Sequence, residues 1–262
     1  MTEKEQDRSK SYYVQSVERA LQILKVMHLK REDVGITELS REIQVGKSTI
    51  HRLITTLEEY GFVQQIRETG KYRIGWTLFE IGSEVPKRTG LIETAKPYLH
   101  SLCDQTNETT ILAVRDGTDT IYIDKYETTQ ILRMDIQVGT RVPAYCTALG
   151  KTLLSGLNNN EIRELYKGQT FKSNTMNTVS SLDQLIFHID NVRLSQYAID
   201  DEEFSLGFRC VAAPIRDISG NIIAGIAVGG PSSRLTKSKL GEDYPLVMNA
   251  ASRISTALGY KE

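Results

Sequence analysis

The stretch GITELSREIQVGKSTIHRLITTLEEYGFV, residues 35–63, constrains the fold more than any other part of the chain. Leu39 and Ile43 lie four apart, and Ile50, Leu53, Ile54 and Leu57 recur at i, i+3, i+4 and i+7, which is the spacing of helices with one buried face. Only Val45 and Gly46 separate the two runs, so two short helices must turn sharply. Thr37 reads as the cap of the first, and Gly61 ends the second. Upstream, SVERALQILKVMHL (16–29) sets Val17, Leu21, Leu24 and His28/Leu29 at helical spacing behind Ser16 as a cap. Downstream, alternating runs at 62–66 and 72–74 flank RETGK, the pattern of a hairpin. Three helices closed by a hairpin make a winged helix-turn-helix.

The remainder is too long to be an appendage. A chain of 262 residues accommodates two domains. Its formal net charge of −1 argues against coating nucleic acid or membrane by bulk charge. Residues 1–80 hold 13 Lys+Arg against 12 Asp+Glu, and residues 81–262 hold 19 against 21, so any nucleic-acid argument rests on geometry. Cys103, Cys146 and Cys210 are odd in number and far apart, without a C-x-x-C or Cys/His cluster. Neither a disulfide framework nor a structural zinc site is expected, and no other metal or cofactor. MTEKEQDRSK has no apolar stretch of a secretory signal, and no run reaches the roughly 20 apolar residues of a membrane span. A cytoplasmic protein with no membrane partner is the expectation.

Residues 1–15 read as a flexible tail, 16–75 as the winged helix-turn-helix and 76–89 as a linker helix. Pro86 and Gly90 break the next amphipathic stretch, so a second domain spans 90–262. There TTILAVRDG, TIYIDKYE and ILRMDIQV read as strands, with Asp116-Gly117 as a turn. TALGKTLLSGL and DQLIFHIDNVRLS read as helices. YAIDDEE, CVAAPIRD and IIAGIAVGG return to strands, the last two joined by ISGN, before a final helix over 235–258. The fold class is α+β, with an antiparallel sheet covered by helices on one side.

In the second helix of the turn, the face opposite the apolar stripe carries Ser48, Arg52 and Thr55, with Lys47 and His51 at its edge, and no acid between 47 and 57. Such a helix enters the major groove, where Lys and Arg reach guanine edges. Ser48, Thr49 and the free N–H groups of the helix start suit phosphate oxygens. Arg67, Lys71 and Arg73 of the hairpin extend the basic face along the backbone. The bland alternative is a solvated helix in a small bundle. GKS at 46–48 and GKT at 150–152 resemble a phosphate-binding loop, but its first glycine is replaced by Arg41 and Tyr145. Asp200, Asp201, Glu202 and Glu203, without an accompanying His, read as a strand end carrying one or two inward carboxylates. Catalytic options are thin, since only His100 and His188 share the second domain with Cys146 and Cys210.

SVERALQIL, GITELSREIQVGKSTIHRLITTLEEYGFV, YRIG, VPAYCTALGKTLL and DDEEFSLGFRCVAAPIRDISGNIIAGIAVGGP together resemble the IclR family of bacterial transcription regulators, from about Ser16 to the end of the chain. The resemblance implies a winged-helix DNA reader, a linker helix and a GAF/profilin-like effector domain. It implies homodimers or dimers of dimers on palindromic double-stranded operators, usually as repressors and sometimes as activators, and a small metabolite as effector. Carried over by position, the pocket comprises Ala148 and Leu149, Asp200, Phe208 and Cys210, Ala227 and Gly229, with Ile131 and Met134 on an earlier strand. Thr147 would cap the pocket helix. Ala227 and Gly229 stand where many relatives have Ser, and Leu149 replaces a smaller residue, which implies a smaller or less polar pocket. Gly46 stands where Pro or Ser often precedes the recognition helix, and glycine is an acceptable cap there. Two rivals remain: a thiol sensor acting through Cys210, and a small-molecule enzyme using Cys146 or Cys210 with the winged helix as a docking module.

Overall fold

The computed structural model describes residues 13–87 and 90–261, and the chain divides into two compact units, Met1–Arg88 and Thr89–Glu262. In the first, α1 (Gln15–Lys30), α2 (Ile36–Ile43) and α3 (Lys47–Glu59) precede an antiparallel hairpin of β1 (Val63–Gln65) and β2 (Tyr72–Ile74), then α4 (Trp76–Lys87). Ile23, Met27, Val34, Leu39, Ile50, Ile54, Val63 and Tyr72 form its core. Each such fully buried aliphatic side chain contributes roughly 1.5–3 kcal/mol. The turn between α2 and α3 closes through Gln44 in the left-handed conformation, while Ser40 Oγ donates to Val45 O at 2.7 Å. At the wing's base Gly75 N–H donates to Phe62 O. A Cβ at Gly75 would lie 2.1 Å from Gly61 O, so only glycine fits.

Several local expectations change. Residues 1–12 of the expected tail lie outside the described residues, and Gln15 is already helical. Gly35, not Thr37, caps α2, and Val14, not Ser16, precedes α1; neither hydroxyl makes a capping bond. The buried face of α1 is Ile23 and Met27, whereas Val17, Leu21 and Leu29 are exposed. Both stripes have helical spacing, and the approach of α2 and α3 decides between them. The expected linker helix runs through Pro86 to Lys87, and residues 88–89 lie outside the description.

The second unit is built on a six-stranded antiparallel sheet, order β5-β4-β3-β8-β7-β6. Its strands are β3 (Thr109–Asp116), β4 (Asp119–Tyr126), β5 (Arg141–Pro143), β6 (Ala198–Asp201), β7 (Phe208–Arg216) and β8 (Ile222–Pro231). The helices are α5 (Leu91–Thr106), α6 (Ala148–Leu154), α7 (Asn159–Leu165), α8 (Leu182–Ser195) and α9 (Lys237–Ala257). Helices cover both faces rather than one. Val211, Ala213, Ile215, Ala224, Ile226 and Val228 pack with side chains of α5 and α9, and the alternate residues Cys210, Ala212 and Ala227 pack with Ala148, Leu149 and Leu153 of α6. Period-2 alternation that is apolar on both sides of β7 and β8 is the cause. Residues 131–138 form a loop, not a strand: Gly139 N–H and Thr140 O take up the backbone partners of Tyr122 on β4. Helix α7, absent from the sequence reading, starts in a capping box of Asn158 and Glu161.

Candidate nucleic-acid interface and ligand site

Gly46 precedes α3 in an extended conformation, and its carbonyl accepts the N–H groups of Thr49 and Ile50. With Ile50 and Ile54 fully buried, the helix period forces Lys47, Ser48, His51, Arg52 and Thr55 outward; all five are exposed, and Thr49 is partly covered. Thr55 Oγ1 donates to His51 O at 2.9 Å, which ties it to its own helix. On the wing, Arg67, Lys71 and Arg73 are exposed, and Gln64 Oε1 accepts from Arg73 Nε and Nη2 at 3.2 and 3.0 Å. Among the described residues, none of Lys47, Arg52, Arg67, Lys71 and Arg73 is in an ion pair. Elsewhere in the unit Lys30 is held by Glu38 and Glu42, at 2.8 and 3.2 Å. The cations on this face are therefore free to meet phosphates and base edges. Thr37 is exposed in the first turn of α2.

In the second unit, strand register assembles residues that are far apart in sequence. Asp200 pairs with Cys210, and Cys210 with Gly229; in the next row Ala198 pairs with Ala212, Ala212 with Ala227, and Ala227 with Ile111. Small side chains let α6 pack closely on this face, and its first turn is capped by Thr147 Oγ1, accepting from Gly150 N at 3.1 Å. Ala148, Leu149, Phe208, Cys210 and Ala227 meet in one cluster, with Met134 packed against it from the loop. Ile131 does not join them: it is 98% exposed, because the loop carries it away from the sheet. The glycine at 229 has a packing reason. A Cβ there would lie 2.8 Å from Phe208 Cζ, so the ring occupies the space of a larger residue. Leu149 likewise fills the space over Gly225, where a Cβ would lie 3.0 Å from Leu149 Cδ2.

The polar groups of this region are deeply buried. Asp200 Oδ1 accepts from Glu203 N at 2.7 Å and Phe204 N at 3.4 Å, while no partner engages Oδ2 among the described residues. Burial and the neighbouring Glu203 push its carboxyl up to about 7, against the two N–H groups and Lys151. Tyr122, which the sequence reading passed over, joins the same cluster, and burial followed by the charges of Cys210 and Asp200 pushes its phenol up. Its one signal in the sequence is its inward place in the alternation of TIYIDKYE. Lys151, the lysine of the rejected phosphate loop, is buried; its Nζ donates to Glu203 Oε1 and, at 2.7 Å, to Ile199 O. Burial pushes the thiols of Cys146 up to about 12 and of Cys103 up to about 11, and that of Cys210 well up. These are the environments of inert thiols. His188 is pushed down by burial, and His100 pairs with Asp104 at 3.2 Å. Among the described residues no group of three or more His, Cys, Asp or Glu could hold a metal ion, and no helix is long and apolar enough to cross a membrane.

Known families share this pairing of units. The family model described as the IclR helix-turn-helix domain matches residues 16–67, and that of the bacterial transcriptional regulator IclR C-terminal domain matches residues 83–256. The chain belongs to the IclR family. It is 35% identical to the HTH-type transcriptional regulator KdgR of Escherichia coli (strain K12) over 95% of this chain and 94% of that one. Transcriptional repressor IclR of the same organism is 33% identical, over 94% and 90%. The crystal structure of Thermotoga maritima IclR matches with a TM-score of 0.76 at 31% identity, covering 95% of this chain and all of that one. The chain is thus an HTH-type transcriptional regulator: a DNA-binding helix-turn-helix joined to the family's C-terminal domain.

Proposed function

We propose that the protein is a repressor of a metabolic operon, and that a small metabolite bound beneath α6 changes its affinity for a specific operator. The observation that carries this reading is the pair of opposite faces on α3: a buried Ile50/Ile54 stripe and an exposed, acid-free, unpaired basic face. Lys47, Arg52 and His51 read bases; Ser48, Thr49, Thr55, Arg67, Lys71 and Arg73 contact the backbone, and Thr37 reaches phosphate from α2. One small winged helix covers too few base pairs for tight specific binding. The regulator therefore acts as a homodimer or dimer of dimers, on a palindrome with half-sites about one helical turn apart. Residues 16–75 read, 76–89 transmit and 90–262 sense.

The effector sits among Met134, Ala148, Leu149, Asp200, Phe208, Cys210, Ala227 and Gly229, with Tyr122 as an added polar contact. It acts only through a difference in its affinity for the two states of the regulator. The walls are largely apolar, which fits a ligand with an apolar body and few polar groups. Neither rival is favoured: burial raises the Cys146 and Cys210 thiols despite the nearby Lys151, so catalysis and thiol sensing both lack their starting thiolate. The chain acts in the cytoplasm, without cofactor or metal. The test is a gel-shift titration against the DNA upstream of its own gene. Saturable, palindrome-dependent binding is expected, and Arg52→Ala should cost about 1–3 kcal/mol and relax preference at one position. Equal binding to scrambled DNA refutes the reading.

A further inference from the structure

We propose that a recess at the far end of the second unit's sheet, where the ends of α8 and α9 meet the β7–β8 turn, binds a small oxyanion: a phosphate or a phosphate monoester held by Arg216. The recess has a volume of about 140 Å³ and is lined by Gln196, Arg216, Met248, Ser252, Ser255 and Tyr260, among others. At roughly 30 Å³ per water molecule, that holds one tetrahedral oxyanion with its residual water. The site lies apart from the residues under α6, and the inference does not rest on the ligand-sensing reading.

Arg216 is the reason for the assignment. Its guanidinium has five N–H donors, of which Nη1 donates to Gly220 O at 2.9 Å and Nη2 to Gln196 Oε1 at 2.8 Å. Both acceptors are neutral. No carboxylate lies within ion-pair distance among the described residues, so the positive charge and three N–H donors are left uncompensated. The carboxylate next in sequence is already engaged: Asp217 Oδ1 accepts from Ser219 N at 2.8 Å and Asn221 N at 2.9 Å. The fork is held in place from two sides. Gln196 Nε2 donates to Arg193 O, which turns the amide oxygen toward Arg216. Ser255 Oγ accepts from Arg216 N at 2.9 Å while donating to Ala251 O at 2.8 Å, which fixes the backbone.

Ser252 and Tyr260 add hydroxyls with no side-chain partner among the described residues. A rigid planar fork beside two hydroxyl donors, with no carboxylate among the described residues of the lining, matches a planar or tetrahedral oxyanion. A contrast within the same unit sharpens the point. The larger recess between α8 and β6, of about 610 Å³, includes Lys151 in its lining, but Glu203 already neutralises that cation. A cation that meets its carboxylate has no need of a ligand, and Arg216 has no such partner among the described residues.

The test is isothermal titration of the full chain with inorganic phosphate and, separately, glycerol phosphate, at pH 7.5 and constant ionic strength set with sodium chloride. Saturable binding is expected, weakened by about tenfold or more in Arg216→Gln, because charge-assisted hydrogen bonds are lost. Ser252→Ala or Tyr260→Phe should weaken it by about two- to fivefold. Arg216→Lys, which keeps the charge but loses the fork, is the second variant should Arg216→Gln not fold; it should bind less tightly than the parent. Phosphate that also binds at the start of α3 leaves a component indifferent to every one of these changes. Tighter binding of glycerol phosphate marks a phosphorylated metabolite as the natural occupant, and tighter binding of inorganic phosphate marks the free ion. No saturable heat from either, or unchanged affinity in folded Arg216 variants, overturns the assignment.

Discussion

The two units handle charge in opposite ways. On α3 and the wing, Lys47, Arg52, Arg67 and Lys71 stand in solvent with no ion-pair partner among the described residues. Under α6, Lys151, Asp200 and Glu203 are all buried, and Lys151 is bonded to Glu203. A surface that binds a polyanion keeps its cations unneutralised, and loses little in folding by doing so because water solvates them. A buried charge is tolerable only with a partner. The same side-chain types therefore stand free to meet an anion in one unit and are paired within the packing in the other.

Breaking that contrast should have its largest effect at Lys151. Lys151→Met leaves Glu203 buried and unpaired, and should destabilise the second unit by about 3–5 kcal/mol, seen as a fall in its unfolding midpoint. The double change Lys151→Met with Glu203→Leu should recover most of the loss; if it recovers nothing, the pair is not what holds α6 to the strand end.

Asp200 comes next. Its folded-state value of about 7 exceeds the unfolded value of 3.8, so the native state binds more protons than the unfolded chain between the two. Stability should then fall as pH rises from about 4 to 7 and level off above, by up to about 4 kcal/mol from this group. Asp200→Asn keeps an acceptor for Glu203 N and Phe204 N. Thermal melts of this variant at pH 5 and pH 8 should differ less than those of the parent, and an identical pH slope would remove Asp200 from the account.

Gly229→Ser tests the packing under α6. A hydroxymethyl group must displace the Phe208 ring, 2.8 Å from the Cβ position, at a cost of about 1–3 kcal/mol. Combined with Phe208→Ala the costs should be non-additive in a double-mutant cycle, because the two groups compete for one space. The smallest effect belongs to the exposed basic face: Arg52→Ala or Lys47→Ala should change stability by no more than about 0.5 kcal/mol, measured in denaturant, while weakening DNA binding.

The contrast also explains what the sequence made legible. Helix α3, its boundary at Gly46, the wing and the Thr147 cap all depend on residues within a few positions of one another. The face of α1 is legible only in part: Leu24 packs against the core as its spacing predicts, whereas Val17 and Leu21 are exposed and the approach of α2 and α3 buries Ile23 and Met27 instead. Residues 131–138 alternate at Met134, Ile136 and Val138, yet Gly139 and Thr140 occupy the edge of β4 that a strand there would need. The pocket positions came from family resemblance, and strand register then places Asp200, Cys210 and Gly229 in one row. Ile131 fell outside because it lies on that misread segment. The bond between Lys151 and Glu203 spans 52 positions, so nothing local announced it. Asn158 and Glu161, by contrast, carried a readable capping box for α7 that the reading passed over.

The most direct test of the central claim is the operator-binding isotherm of the full chain, by fluorescence anisotropy on the upstream DNA, with and without pooled small metabolites from the cell. A sensor coupled to a DNA reader predicts saturable binding whose midpoint the metabolites shift by about 5- to 150-fold, the range of a coupling free energy of about 1–3 kcal/mol. Specific binding that no metabolite moves would contradict the sensing role of the second unit. The absence of any sequence preference would contradict the DNA-reading role of α3.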